Sequence, residues 1–275
     1  MTTKLSHFQR LRGLISLSKR QQFVLATLVM TLLLMGTQIF SGGLRVDVLL
    51  GLVVTAYILS AVVLRQDLSR WEYVTLLILP SFYTGAVFLF YFLLPERWLT
   101  RLPIVVLYAL GMYAILLTEN IYNVAAERTI QLLRAAHSVG FLLTLITTFF
   151  LIQTLMSLRL DFYLNALIGM LIIFPLSLQT LWSMELTPTI SLRVWIGSFV
   201  IALVISELVL ILSFLPVRTT IEALYITTVF YTLVGMTQQL LIERLFKKTI
   251  QEYIIVLAIV SILVLWTVRW GEGIV

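Results

Sequence analysis

Long apolar runs recur from Gln22 to Thr267, and the Lys, Arg, Asp and Glu side chains gather in the short intervals between them. A run of about 20 such residues lets a helix cross roughly 30 Å of hydrocarbon. Backbone amides in lipid find partners only inside helices or closed barrels, and a barrel would show alternating segments of about 10 residues. This chain shows unbroken apolar stretches instead. The expected fold class is therefore all-α: a polytopic transmembrane helical bundle of about nine spans. Composition agrees, with 60% hydrophobic and 12% charged residues, against about 45–50% and about 25% in a soluble domain.

The spans read as Gln22–Phe40, Val46–Leu64, Trp71–Leu94, Leu102–Thr118, Leu132–Leu155, Phe162–Trp182, Leu192–Leu215, Ile221–Leu240 and Ile250–Thr267. An eight-span alternative has one of the last two runs lying flat. Every connection is short, so residues 22–275 read as a single transmembrane helical domain, preceded by a basic segment over residues 1–21. Within that segment Leu5, Phe8, Leu11 and Ile15 recur at helical spacing, which describes either an amphipathic helix on the membrane surface or a basic tail. No small-residue cleavage site follows it, so the first span reads as a retained anchor.

Lys and Arg divide unevenly between the two sides, thirteen on the side of the N-terminus and six on the other. The excess predicts a cytoplasmic N-terminus and, with nine spans, an outside C-terminus, in a cytoplasmic (plasma) membrane. The net charge of +6 is spread along membrane edges, with no aromatic-bearing groove to suggest nucleic acid. Expected partners are the bilayer, anionic lipid headgroups, and other membrane proteins or a second copy of the chain. Trp71, Trp98, Trp182, Trp195 and Trp270 fall near span ends, where indoles anchor a helix to the interface.

With no cysteine, and His7 and His137 as the two histidines, neither a metal centre nor another cofactor is expected. Motifs for nucleophilic, metal-assisted or phosphate-cradling catalysis are absent. No catalytic residue is assigned.

Two polar regions stand out. Joining the fourth and fifth spans are Glu119, Asn120, Asn123, Glu127, Arg128, Gln131, Arg134, His137 and Ser138. If this stretch is one helix, Asn120, Asn123, Glu127, Gln131, Arg134 and Ser138 share a face. If the chain reverses here, Asn120–Asn123 is the expected turn, because asparagine tolerates turn conformations. Arg134 and His137 offer a cation for a phosphate or lipid carboxylate and a proton-exchanging imidazole, or else Arg134 snorkels to the interface or pairs with Glu119 or Glu127 to fix the two spans.

The second region centres on Glu207, alone in Val204-Ile205-Ser206-Glu207-Leu208-Val209-Leu210. A carboxylate in hydrocarbon must be protonated, paired or exposed to a cavity. Gln38, Gln153 and Asn165 lie at a comparable level of their own spans and, with Ser206 and Glu222, complete an expected outward-facing substrate or proton-coupling site. The competing expectation makes Glu207 an interhelical hydrogen-bonding residue. Pro80 and Pro175 sit inside the third and sixth spans, where each removes a backbone donor and is expected to kink and break its span, and Ser81 and Ser177 are expected to satisfy the freed carbonyls.

These readings favour a transporter of a small molecule or lipid, or a lipid-handling protein, with Glu207 coupling a proton and the Asn120–His137 region gating the cytoplasmic side. A non-catalytic membrane subunit or scaffold is the alternative. A membrane enzyme on a lipid-linked substrate is the third, with Glu119 or Glu127 as base and Arg128 or Arg134 holding phosphate.

Overall fold

The computed structural model describes residues 18–37, 46–64, 72–94, 98–125, 131–187 and 189–267. Among them nine helices follow one another: α1 (Lys19–Gly36), α2 (Val46–Leu64), α3 (Glu72–Leu93), α4 (Trp98–Ala125), α5 (Leu133–Ser157), α6 (Phe162–Glu185), α7 (Leu192–Leu212), α8 (Thr219–Leu241) and α9 (Lys247–Thr267). No strand occurs among the described residues. The basic segment ahead of Ser18 lies outside them.

Local sequence explains several ends. Ser18 and Gln21 form a reciprocal capping box at the start of α1, and Ser191 caps α7 by accepting from the Val194 amide. Such caps satisfy amides that have no partner within the helix. Three non-glycine residues in the left-handed region, Arg159, Leu186 and Glu243, turn the chain out of α5, α6 and α8.

Seven helices, α2 to α7 and α9, are long and apolar enough to cross a membrane. The other two have visible reasons for falling short. Helix α1 spends its first turn on Lys19, Arg20, Gln21 and Gln22, and α8 carries Glu222, Gln238, Gln239 and a series of threonines. Yet α8 buries nine residues, among them Ala223, Ile226, Phe230 and Val234, whereas α9 buries Val264 alone. The less apolar helix lies inside the bundle, and the more apolar one lines its surface.

Helix α5 packs against α3, α4, α6 and α8, and α3 against α2, α4, α5 and α6, so these two form the centre. Their polar side chains are neutralised locally. The hydroxyls of Thr144, Thr147, Thr148 and Thr154 in α5 each donate to a carbonyl one turn back. A threonine satisfied in this way enters an apolar interior without an orphaned donor.

Tyrosine rings lie over glycine at three helix contacts: Tyr83 over Gly111, Tyr122 over Gly140 and Tyr253 over Gly235. A Cβ at Gly235 would come within 2.6 Å of the Tyr253 ring atoms. Tyr83 also donates to the Leu107 carbonyl at 3.0 Å and stacks on Tyr108, with ring centroids 5.6 Å apart. These contacts fix α3 on α4, α4 on α5, and α8 on α9.

Four sequence expectations are corrected. Helices α3 and α6 run unbroken through Pro80 and Pro175. The carbonyls those prolines free belong to Leu76 and Leu171, while Ser81 donates to Leu77 and Ser177 to Phe174 and Ser198. Asn120–Asn123 is not a turn, because α4 continues to Ala125 and the chain reverses between there and Leu133. Trp182 is no interfacial anchor: it is fully buried, with its indole N–H donating to the Thr187 carbonyl at 3.0 Å.

Candidate functional site

The ends of α5, α6, α8 and α9 surround a cleft of about 570 Å³, lined by residues that include Arg134, His137, Phe141, Gln238, Arg244 and Tyr253. This size falls within the usual range of about 300–1,000 Å³ for small-molecule sites. It opens at the basic end of the bundle, which also carries Lys19, Arg20, Arg193, Lys247 and Lys248.

Each lining residue arrives for a local reason. Arg134 lies in the first turn of α5 and is exposed, and His137 follows it by one turn, half-buried. The His137 Nε2 lies 2.8 Å from the Ser183 carbonyl of α6. A carbonyl only accepts, so this nitrogen carries the hydrogen, leaving Nδ1 bare in the neutral ring. The Tyr122 ring stacks on His137 at 5.4 Å and its hydroxyl donates to the Ala136 carbonyl. Arg244 is set by the left-handed turn at Glu243, where its amide returns to the Gln239 carbonyl at 2.8 Å. Gln238 donates to the Thr180 carbonyl, binding α8 to α6 at the cleft floor.

Among the described residues no carboxylate lines the cleft, and neither the Arg134 nor the Arg244 guanidinium has an acidic partner. Leu133, Phe141, Met184 and Ile242 supply its apolar wall. The arrangement presents two cations at the mouth above greasy sides, which suits an amphiphile with an anionic head.

Beneath the cleft lies a void of about 10 Å³, bounded by His137, Phe141 and Gln238 from the cleft side and by Tyr122, Thr144, Gln179 and Ser183 from within. Gln179 donates to Glu119 Oε1. Glu119 is 0% exposed, and its Oε2 has no hydrogen-bond partner.

The expected cytoplasmic cluster is thus divided. Arg134 and His137 reach the cleft, while Glu119 and Asn123 turn into the bundle, Asn123 donating to the Leu64 carbonyl of α2. Asn120 is half-buried, and Glu127 and Arg128 lie outside the described residues. The shared polar face does not form, because the helix ends before Glu127 and a new one starts at Leu133.

The outward cluster is not assembled around Glu207. That residue is exposed on α7, between the exposed Val204 and Ile211. Gln153 donates to Ser157 and Thr219, joining α5 to α8, and Asn165 donates to the Leu160 carbonyl and Ser213 at the α6–α7 end. Ser206 donates to the Ala166 carbonyl, and Glu222 is buried on α8, while Gln38 lies outside the described residues. These groups hold helix ends together.

A family model described as a protein of unknown function (DUF5656) matches residues 30–267. The chain belongs to this family. The match spans the bundle from within α1 to the last residue of α9, so every wall of the cleft falls inside it. Neither a curated protein nor a solved structure matches.

Sequence reasoning missed Gln179, Gln238, Arg244 and Tyr253 as site residues. Gln179 carried a readable signal, as an amide within the largely apolar run of α6, whereas Gln238 sits beside Thr237 and Gln239 and does not stand out. Arg244 and Tyr253 carried none, because only the packing of α9 on α8 brings them to Arg134.

Proposed function

We propose that this protein is a lipid-handling membrane protein whose basic-end cleft binds an amphiphile with an anionic, phosphate-type headgroup. The observation that carries this reading is the cleft itself: Arg134 and Arg244, unpaired among the described residues, stand over Leu133, Phe141 and Ile242 with no carboxylate among the described lining residues. A guanidinium matches phosphate oxygens in a planar, two-pronged geometry. The positive-inside bias sets this end in the cytoplasmic leaflet, where anionic headgroups accumulate.

Native mass spectrometry of the detergent-solubilised protein with equal amounts of phosphatidic acid and phosphatidylcholine tests it. Wild type is expected to retain phosphatidic acid preferentially, and Arg134→Ala with Arg244→Ala to lose the preference by about tenfold or more, as removal of two charge-assisted contacts implies. Equal retention of both lipids by wild type would sink the proposal.

Glu207 favours a second reading, that of a membrane subunit. A carboxyl on an otherwise apolar, outward face is costly in lipid unless something covers it, and another membrane protein is one such cover. Loss of an oligomer or complex from mild detergent in Glu207→Leu supports this reading, and an unchanged particle size contradicts it.

A further inference from the structure

The geometry points to Glu119 as a neutral carboxyl inside the bundle, closed onto the Gln179 side chain as an acid–amide pair that joins α4 to α6. Orphaned atoms fall on both partners of one existing hydrogen bond. Gln179 gives an N–H to Glu119 Oε1, while Glu119 Oε2 and Gln179 Oε1 are both buried without a partner. One hydrogen on Oε2, directed at Gln179 Oε1, closes the eight-membered ring that carboxylic acids form with primary amides. It removes both orphans at once. Buried polar atoms are otherwise almost always satisfied.

An ionised Glu119 would stand 0% exposed with one neutral donor, a state hydrocarbon penalises heavily. The titratable neighbours among the described residues are Tyr122, a near neighbour on α4, and His137 on α5, which stacks against that tyrosine. Neither is a cation that would hold a carboxylate in the neutral-imidazole state.

Glu119 is not among the lining residues of the void of about 10 Å³, whose wall Gln179 supplies, so the amide stands between the carboxyl and the cleft.

The site is independent of what occupies the cleft, so its test needs no lipid ligand. Infrared spectra of the full-length protein in phosphatidylcholine nanodiscs, at neutral pH in light and heavy water, read the carboxyl directly. A protonated-carboxyl band is expected in wild type, absent from Glu119→Gln and unchanged in Glu207→Gln. Glu119→Gln keeps the shape and an amide–amide ring, and Gln179→Leu provides a second measure by moving the band to the frequency of an acid without its amide partner. No Glu119-dependent band at neutral pH, or a band that Gln179→Leu leaves in place, would overturn the assignment.

Discussion

Single polar side chains in this bundle do one of two jobs, and burial distinguishes them. Gln238 and Asn123 spend their amides on carbonyls of neighbouring helices, Thr180 and Leu64. Replacing Gln238 by Leu leaves the buried Thr180 carbonyl without this donor, so unfolding in detergent is expected to become easier by about 1–3 kcal/mol, read as a lower midpoint in thermal denaturation. Glu207 is the contrary case. Exposed on α7 and without a hydrogen bond to another helix among the described residues, it anchors no neighbour, and Glu207→Leu is expected to leave the midpoint unchanged or raise it. A drop of more than about 1 kcal/mol, the scale of one lost hydrogen bond, would revive the interhelical role. The same contrast explains what the residues alone disclosed. A lone carboxylate in an apolar run was conspicuous at Glu207, and Glu119 stood in a polar stretch, but the direction each faces depends on helix rotation, which no single span encodes.

At the scale of elements the match between pattern and structure is close. Residues 46–64 form α2 at the bounds hydropathy predicts, and α5, α6 and α9 depart by a few residues. The larger departure is α4, which extends to Ala125 through Glu119, Asn120 and Asn123. Hydropathy stops at polar residues, whereas the helix continues because Gln179 and the Leu64 carbonyl receive those side chains inside the bundle. Helix α8 shows the same effect, with its polar residues spent on interior contacts. Tyrosine–glycine seats were illegible for a different reason, since each pairs two separate helices. Gly235→Leu is expected to push Tyr253 aside at about 1–3 kcal/mol, the usual cost of overpacking. Because α9 buries Val264 alone and rests on α8, the consequence is faster amide hydrogen exchange across α9 with little change in α3 and α5. Uniform acceleration across all helices would argue against a peripheral α9.

At the scale of the whole molecule, the nine helices among the described residues form a bundle with a cleft at its basic end. The chain has no cysteine, so single cysteines can be introduced without removing native ones. In intact cells, Arg193→Cys and Lys248→Cys at the basic end are expected to resist a membrane-impermeant maleimide, and Arg218→Cys at the other end to react. The reverse pattern would invert the orientation and place the cleft in the outer leaflet. Charge bias alone supplies that orientation as an expectation; the cleft was not legible, because Arg134 and Arg244 line it only through the folding of α5, α8 and α9 together. The central claim is that anionic lipid sits between these two arginines. Photocrosslinking with a diazirine-bearing phosphatidic acid in proteoliposomes, mapped by peptide mass spectrometry, locates bound lipid most directly. Adducts are predicted on 133–141 and 238–253, suppressed by excess phosphatidic acid and by Arg134→Ala with Arg244→Ala. Adducts confined to the outward faces of α7 and α9, indifferent to both, would contradict it.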